Sequence, residues 1–344
     1  MNCGWAGAAT PAHPFPIAHD STKKGAPEWR ASARDGNLGA AVERDFSKKR
    51  LRLLERGMES LLFLAAALAL AIVGGILYVV ISEAVKFFAQ VPFAEFVSST
   101  VWTPTFDNPQ YGIAPLLTGT FMSTLVALAV AVPLGLLVAV YLSEFANARA
   151  REAIKPTLEL LAGVPTVVYG YFALLFVTPL LQQALRPVGI ELPGFNLLSA
   201  GIVMGLMIIP YIASLSEDAM RAVPSAMRDG SFAMGATRLE TSFRVVFPAA
   251  ISGIVGAIIL GMSRAVGETM IVVIAGGQQP IMVTSPTQQG ATVTAFIAQV
   301  ALGDIPYGTL EYSSIFAAGL ALLLLTLVFN LIAFALQRRF REAY

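Results

Sequence analysis

Cysteine occurs once, at Cys3, and histidine twice, at His13 and His19, all within the first twenty residues. A lone cysteine excludes an intrachain disulfide and a cysteine-ligated metal centre. With both histidines near the start, the long apolar stretches hold no imidazole for metal ligation or proton relay. None of the six lysines follows a glycine. The G-x-x-x-x-G-K-[ST] loop that cradles nucleotide phosphates is therefore missing, and neither G-x-S-x-G nor H-E-x-x-H occurs. An enzyme reading has no constellation to stand on, and no metal or cofactor is expected in this chain.

Charge is scarce as well. Charged residues make up 13% of the chain, against about 25% in soluble domains. Hydrophobic residues make up 56%, and mean hydropathy is +0.69. Apolar runs long enough to cross roughly 30 Å of hydrocarbon recur, which defines a polytopic membrane protein. Six spans are predicted at Glu59–Ser82, Ala114–Leu142, Pro156–Leu181, Leu198–Leu215, Ala249–Ala275 and Ser314–Leu336.

The net charge of +1 conceals a strong segregation. Twenty of the 23 Lys and Arg residues precede the first span, fall in the second–third and fourth–fifth connections, or follow the sixth span. Lys86 and Arg186 alone lie on the opposite side, and Arg264 lies inside a span. The positive-inside rule then places both termini in the cytoplasm. Residues 1–55 read as a cytoplasmic, structureless tail, rich in Pro, Gly, Ala and charge. They are no secretory signal, because no apolar core precedes residue 59. The basic run Lys48–Arg52 serves as an orientation signal or grips anionic lipid. Residues 56–113 hold the first span and an outer loop, and 114–340 the core. The outer loop Gly276–Tyr312 carries helical apolar spacing over Ala291–Leu302, suited to lying on the membrane or dipping into it.

Two places draw attention as sites. Arg264 and Glu268 stand four apart in the fifth span, where ionisable groups are costly and by default mark a pathway. On one helix they share a face with the small residues Ala257, Gly261 and Ala265. Either the face lines a path, with Glu268 holding the guanidinium when the path is empty, or the two residues form a self-neutralising structural pair. An arginine offers a planar fork of donors suited to an oxyanion. Glu159 near the start of the third span either stabilises a helix N-terminus or gates. Pro165 and Pro133 kink spans, and Gly201-x-x-x-Gly205 reads as helix packing. The second place is the polar segment Asp229–Pro248. A short helix over Ala222–Met234, with Pro224 in its first turn and a reversal at Gly235, gives a rigid protrusion with Phe232 and Met234 as apolar contacts. Thr237 or Thr241 starts the next helix.

This second segment, DGSFAMGATRLETSFRVVFP, resembles the coupling loop of ABC-importer permeases. Asp229-Gly230-Ser231 stands at the E-A-A triplet, Gly235 at the glycine and Phe247-Pro248 at the closing L-P. The triplet and the Leu are substituted, while the spacing is kept. Gly261-Met-Ser-Arg264-Ala-Val-Gly267-Glu268-Thr269-Met270 resembles the G-x-x-R-A-x-G-E-T-M signature of phosphate-specific permeases. Glu159–Gly170 and Gly235–Arg238 are similar to two further segments of that family. The form of these motifs is nearer the C-type subunit than its A-type partner.

The resemblance implies an all-α type I ABC-importer permease fold with a coupling loop within 217–248. It implies inward translocation of inorganic phosphate, with Arg264, Glu268 and Thr269 along the pathway and Asp229, Gly230, Ser231, Phe232, Gly235 and Pro248 coupling to an ATPase. The implied partners are a second homologous permease subunit, an ATP-binding subunit dimer that carries ATP and Mg, and an extracytoplasmic phosphate-binding protein. Membrane lipid surrounds the chain, and no nucleic acid is expected. A same-fold permease for sulfate, molybdate or tungstate is the alternative. An ATP-independent transporter would leave the spacing from Gly235 to Pro248 without a reason.

Overall fold

The computed structural model describes residues 29–303 and 305–339, with the backbone alone for 29–54, 337 and 339. Cys3, His13, His19 and Arg341 lie outside the described residues, as do the side chains of the basic run Lys48–Arg52. The chain falls into two units divided between Val73 and Gly74. The first, where described, is the N-terminal part of α1 (Trp29–Phe88). Residues 29–55 are thus helical, where a structureless tail was expected. No proline stands between Pro27 and Pro92, and Ala, Arg, Leu and Glu, all good helix formers, dominate the stretch before the span.

The second unit begins at Gly74. After α1 come α2 (Phe93–Ser98), α3 (Ala114–Val140), α4 (Ala148–Ala162), α5 (Thr166–Phe172) and α6 (Thr178–Leu185). Then follow α7 (Leu197–Arg221), α8 (Ser225–Ala233), α9 (Arg238–Thr241), α10 (Phe247–Ala249), α11 (Ile251–Val266), α12 (Val293–Leu302) and α13 (Leu310–Arg339). Four π-helical turns interrupt this order, at Tyr141–Phe145, Ala173–Val177, Ser242–Val246 and Val272–Gly276. The described residues hold no β-strand; one antiparallel bridge, Trp102 to Tyr111, pins the loop between α2 and α3.

Five helices are long and apolar enough to cross a bilayer: Glu55–Phe88, Ala114–Phe145, Thr166–Val188, Leu197–Arg221 and Leu310–Leu336. A sixth crossing exists if Arg238–Ala249 and Ile251–Val266, which meet at 72°, are one span. Two predicted spans need correction. The third begins at Thr166, not Pro156. Pro165 disfavours helical geometry in the residue before it, so the chain breaks over Gly163–Pro165. Pro165, with ψ 134°, is the residue that starts α5 instead of a kink inside a span. The fifth is not continuous to Ala275. It bends near Ala250, ends at Val266 and resumes as a short helical turn only at Met270.

The core is built around α7, which packs along α3 and α11. Gly201 and Gly205 make the first contact possible. A Cβ at Gly201 would lie 2.6 Å from Val126 Cβ, and one at Gly205 2.7 Å from the Ala127 carbonyl oxygen. Met204, Met207, Ile208 and Ile212 of α7 are buried around this seam. In lipid such burial gains little hydrophobic free energy, because acyl chains are as apolar as the side chains. Close dispersion contact does the holding, and it fails quickly with distance. At one end of the bundle, Phe87, Phe96, Trp102, Tyr111 and Phe296 interlock edge to face, with Trp102 and Phe296 centroids 5.0 Å apart. A smaller cluster of Ala139, Val140, Met220, Val223, Val246 and Ile254 closes the opposite end of α3, α7 and α11.

Candidate functional site

Arg264 lies near the end of α11, about 20 Å along the axis from Ile251. The small residues beside it do not line an open space. Ala257, Gly261 and Ala265 are buried, and a Cβ at Gly261 would meet Ile208 and Ile212 of α7 at 3.0 Å. Their role is to bring α11 against α7. The Arg264 side chain is exposed, and its guanidinium carbon sits 4.7 Å from the centroid of the Tyr211 ring on α7. No carboxylate is within ion-pair distance of it among the described residues.

The expected partnership with Glu268 is therefore absent, because the helix ends first. With α11 stopping at Val266, Glu268 no longer follows its face. The Glu268 carboxylate is buried and accepts from the backbone N–H groups of Met270 (3.1 Å) and Ile271 (3.4 Å). It thus caps the turn that resumes there, satisfying donors that a helix start leaves open. The Glu268 carbonyl accepts from the Thr294 hydroxyl at 2.7 Å, which ties the break to α12. Thr269 is half-buried, and its hydroxyl donates to the Gly267 carbonyl at 3.4 Å. Ser263 donates to Asn330 of α13 at 3.3 Å.

The polar segment folds as its spacing predicts, with narrower bounds. α8 covers Ser225–Ala233 with Pro224 at its N-cap. Gly235 adopts φ +86°, a left-handed turn that favours glycine. Thr237, not Thr241, starts α9, through a reciprocal capping box with Glu240. The Ser231 hydroxyl lies 2.9 Å from the Thr241 hydroxyl and fastens α8 to α9. Asp229 and Gly230 are exposed, and Pro248 lies in the first turn of α10 just before the bend. Phe232 is 42% exposed and Met234 89% exposed. Leu239 and Phe243 are exposed beside them.

Two charged clusters that the sequence reading passed over hold this end together. Arg228 of α8 donates from Nη2 to Glu144 at 3.0 Å and from Nε to Glu144 at 3.4 Å. It also donates to the carbonyls of Val223 (2.7 Å) and Met220 (2.8 Å). One guanidinium thus fixes α8 to the ends of α3 and α7. The second cluster surrounds Glu217, whose side chain is fully buried. Lys155 of α4 reaches it at 2.8 Å, and Arg151 and Arg221 stand at 3.6 and 3.5 Å. Burial works against the Lys155 ammonium, but its hydrogen bonds to Asp218 and Glu217 prevail and hold its pKa above the usual lysine value. Glu159 is exposed on α4, outside the third span and near the C-terminal end of that helix, so it does not occupy the helix N-terminus predicted for it. Glu217 was legible as a carboxylate ending an apolar run, but two of its partners, Lys155 and Arg151, lie more than sixty residues away. Among the described residues no cluster of His, Cys, Asp and Glu fits a metal ion.

Residues 131–342 match the family described as binding-protein-dependent transport system inner membrane component. A probable ABC transporter permease protein of Bacillus subtilis, YqgH, is 36% identical over 245 residues, covering 71% of this chain and 78% of its own. The phosphate transport system permease protein PstC of Mesorhizobium japonicum is 30% identical, with 84% and 92% covered. That of Haemophilus influenzae is 34% identical, with 67% and 76% covered. Among solved structures, a bacterial alginate ABC transporter in complex with a pentasaccharide-bound periplasmic protein superposes with a TM-score of 0.55 at 18% identity, covering 80% of this chain and 94% of that one. That likeness is one of fold. With most of its length matched by one family model, the chain belongs to the inner membrane components of binding-protein-dependent transport systems.

Proposed function

We propose that this chain is the membrane-spanning subunit of an ATP-driven importer that carries inorganic phosphate into the cell. Its relatives of matching length are named as phosphate permeases. The observation that carries the substrate reading is Arg264. Phosphate bears one to two negative charges and crosses hydrocarbon only with compensation. Arg264, two residues before the end of α11, offers a permanent cation whose donors no carboxylate occupies among the described residues. Attraction from one arginine is strong enough to admit the anion and weak enough to release it.

ATP and Mg belong on a separate ATP-binding dimer, which α8 and the turn at Gly235 contact through Phe232 and Met234. Arg228 and the Glu217 cluster pass that push to α3, α4 and α7. A second homologous permease subunit completes the path, and an extracytoplasmic binding protein delivers phosphate from outside. Both termini lie in the cytoplasm in this reading, which the Lys and Arg distribution supports.

The test is uptake of radiolabelled phosphate by the assembled complex. Arg264→Ala is expected to abolish uptake without preventing assembly. Arg264→Lys recovers little, since a point charge lacks the fork. Parental uptake by Arg264→Ala would remove the basis for the anion path.

A further inference from the structure

We propose that Tyr211 is the positioning residue for Arg264: its aromatic face holds the guanidinium at the anion path while leaving the N–H donors free. This rests on the reading of Arg264 given above. The other well-placed arginines of this chain show what a structural guanidinium looks like. Arg228 spends its donors on Glu144 and two carbonyls. Arg151 donates twice to the Leu142 carbonyl, at 3.0 and 2.6 Å. Arg264 makes no such bond among the described residues and rests instead on a ring, 4.7 Å from its centroid.

The difference has a chemical consequence. A carboxylate would hold the guanidinium through the same fork that an oxyanion needs, so holding and binding would compete. A ring face attracts the charge without accepting N–H hydrogen bonds in its plane. It also narrows the rotamers of a long side chain that has nothing else to grip, and so reduces the ordering entropy lost when the anion arrives. The backbone arrangement supports this placement. Gly261 lets α11 approach Ile208 and Ile212 to contact distance, and Tyr211 adjoins Ile212 on the same helix. The Tyr211 hydroxyl has no hydrogen-bond partner among the described residues, so the ring, not the hydroxyl, is the working part.

The experiment uses the full complex in proteoliposomes, with initial rates of radiolabelled phosphate uptake and the phosphate-to-ATP ratio for variants that assemble normally. Tyr211→Phe keeps the face and stays within about twofold of the parent, while Tyr211→Leu loses about tenfold in rate, between the exposed and the desolvated scale of a cation–π contact. ATP hydrolysis falls less than uptake, so the ratio drops. A loss in Tyr211→Phe as deep as in Tyr211→Leu would overturn the proposal, since the hydroxyl would then be the working part. Parental uptake by Tyr211→Leu, beside an inactive Arg264→Ala, would also overturn it and leave the anion path standing. An active Arg264→Ala would remove the path itself. Should Tyr211→Leu fail to assemble, Tyr211→Trp and Tyr211→Met replace it: the aromatic variant must transport several-fold faster, and equal rates would contradict the proposal.

Discussion

At the scale of single residues, hydrogen-bond supply separates function from support. Glu268 accepts from two backbone donors through one carboxylate oxygen, and its effect should follow from that capping. Glu268→Gln keeps an oxygen acceptor for Met270 and Ile271 and is expected to preserve uptake. Glu268→Ala leaves those donors open at a cost of about 1 kcal/mol, read as a lower melting temperature of the purified complex. Glu217 is the opposite case. Its removal leaves Lys155, Arg151 and Arg221 crowded together, and Glu217→Ala is expected to cost about 3 kcal/mol, measured by the same melting experiment. Arg264 was legible in the sequence because a charge inside an apolar run has few explanations. Its partner was misread. The four-residue spacing to Glu268 means a shared face only while the helix continues, and it stops at Val266. Tyr211 gave no signal, since a tyrosine in an apolar run is ordinary packing material.

At the scale of elements, the polar segment was the most legible part of the chain, because prolines and glycines fix its corners. The left-handed φ of Gly235 strains any L side chain by about 1–2 kcal/mol, and more when the side chain is β-branched. A Cβ there would meet no atom of the described residues within 4 Å, so within this chain the effect is strain and not crowding. Gly235→Val is expected to uncouple ATP hydrolysis from uptake in a complex that still assembles, and Gly235→Asn, which tolerates the left-handed region, to remain coupled. Measuring both activities on each variant checks this. The Gly201–Gly205 seam predicts a different failure. Gly201→Leu drives a side chain into Val126 and should separate α3 from α7, lowering the yield of assembled complex instead of its coupling. The predicted span boundaries erred where a proline did more than kink. Hydropathy carried the third span back through α4, although Pro165 was visible as a stop; α4 is long and half apolar, and its contacts to Glu217 and Asp218 belong to a surface helix.

At the scale of the whole molecule, hydropathy led to six expected crossings, of which five are single helices and the sixth a bent pair, and the orientation is inferred from charge. Accessibility labelling of single cysteines placed after residue 50 and after residue 340, in a background lacking Cys3, is expected to modify both only in broken cells. What no single-chain pattern carried is the path, which in the proposed reading Arg264 borders from one side and a second permease subunit from the other. The central claim is that this half-path passes phosphate under the control of a separate ATPase. The most direct measurement is uptake by the reconstituted complex of labelled phosphate, with sulfate as competitor and with the ATPase active or inactivated. The account predicts accumulation that needs ATP hydrolysis, is lost in Arg264→Ala and is unaffected by excess sulfate. Accumulation of sulfate in place of phosphate, or phosphate entry that persists with the ATPase inactivated, would contradict it.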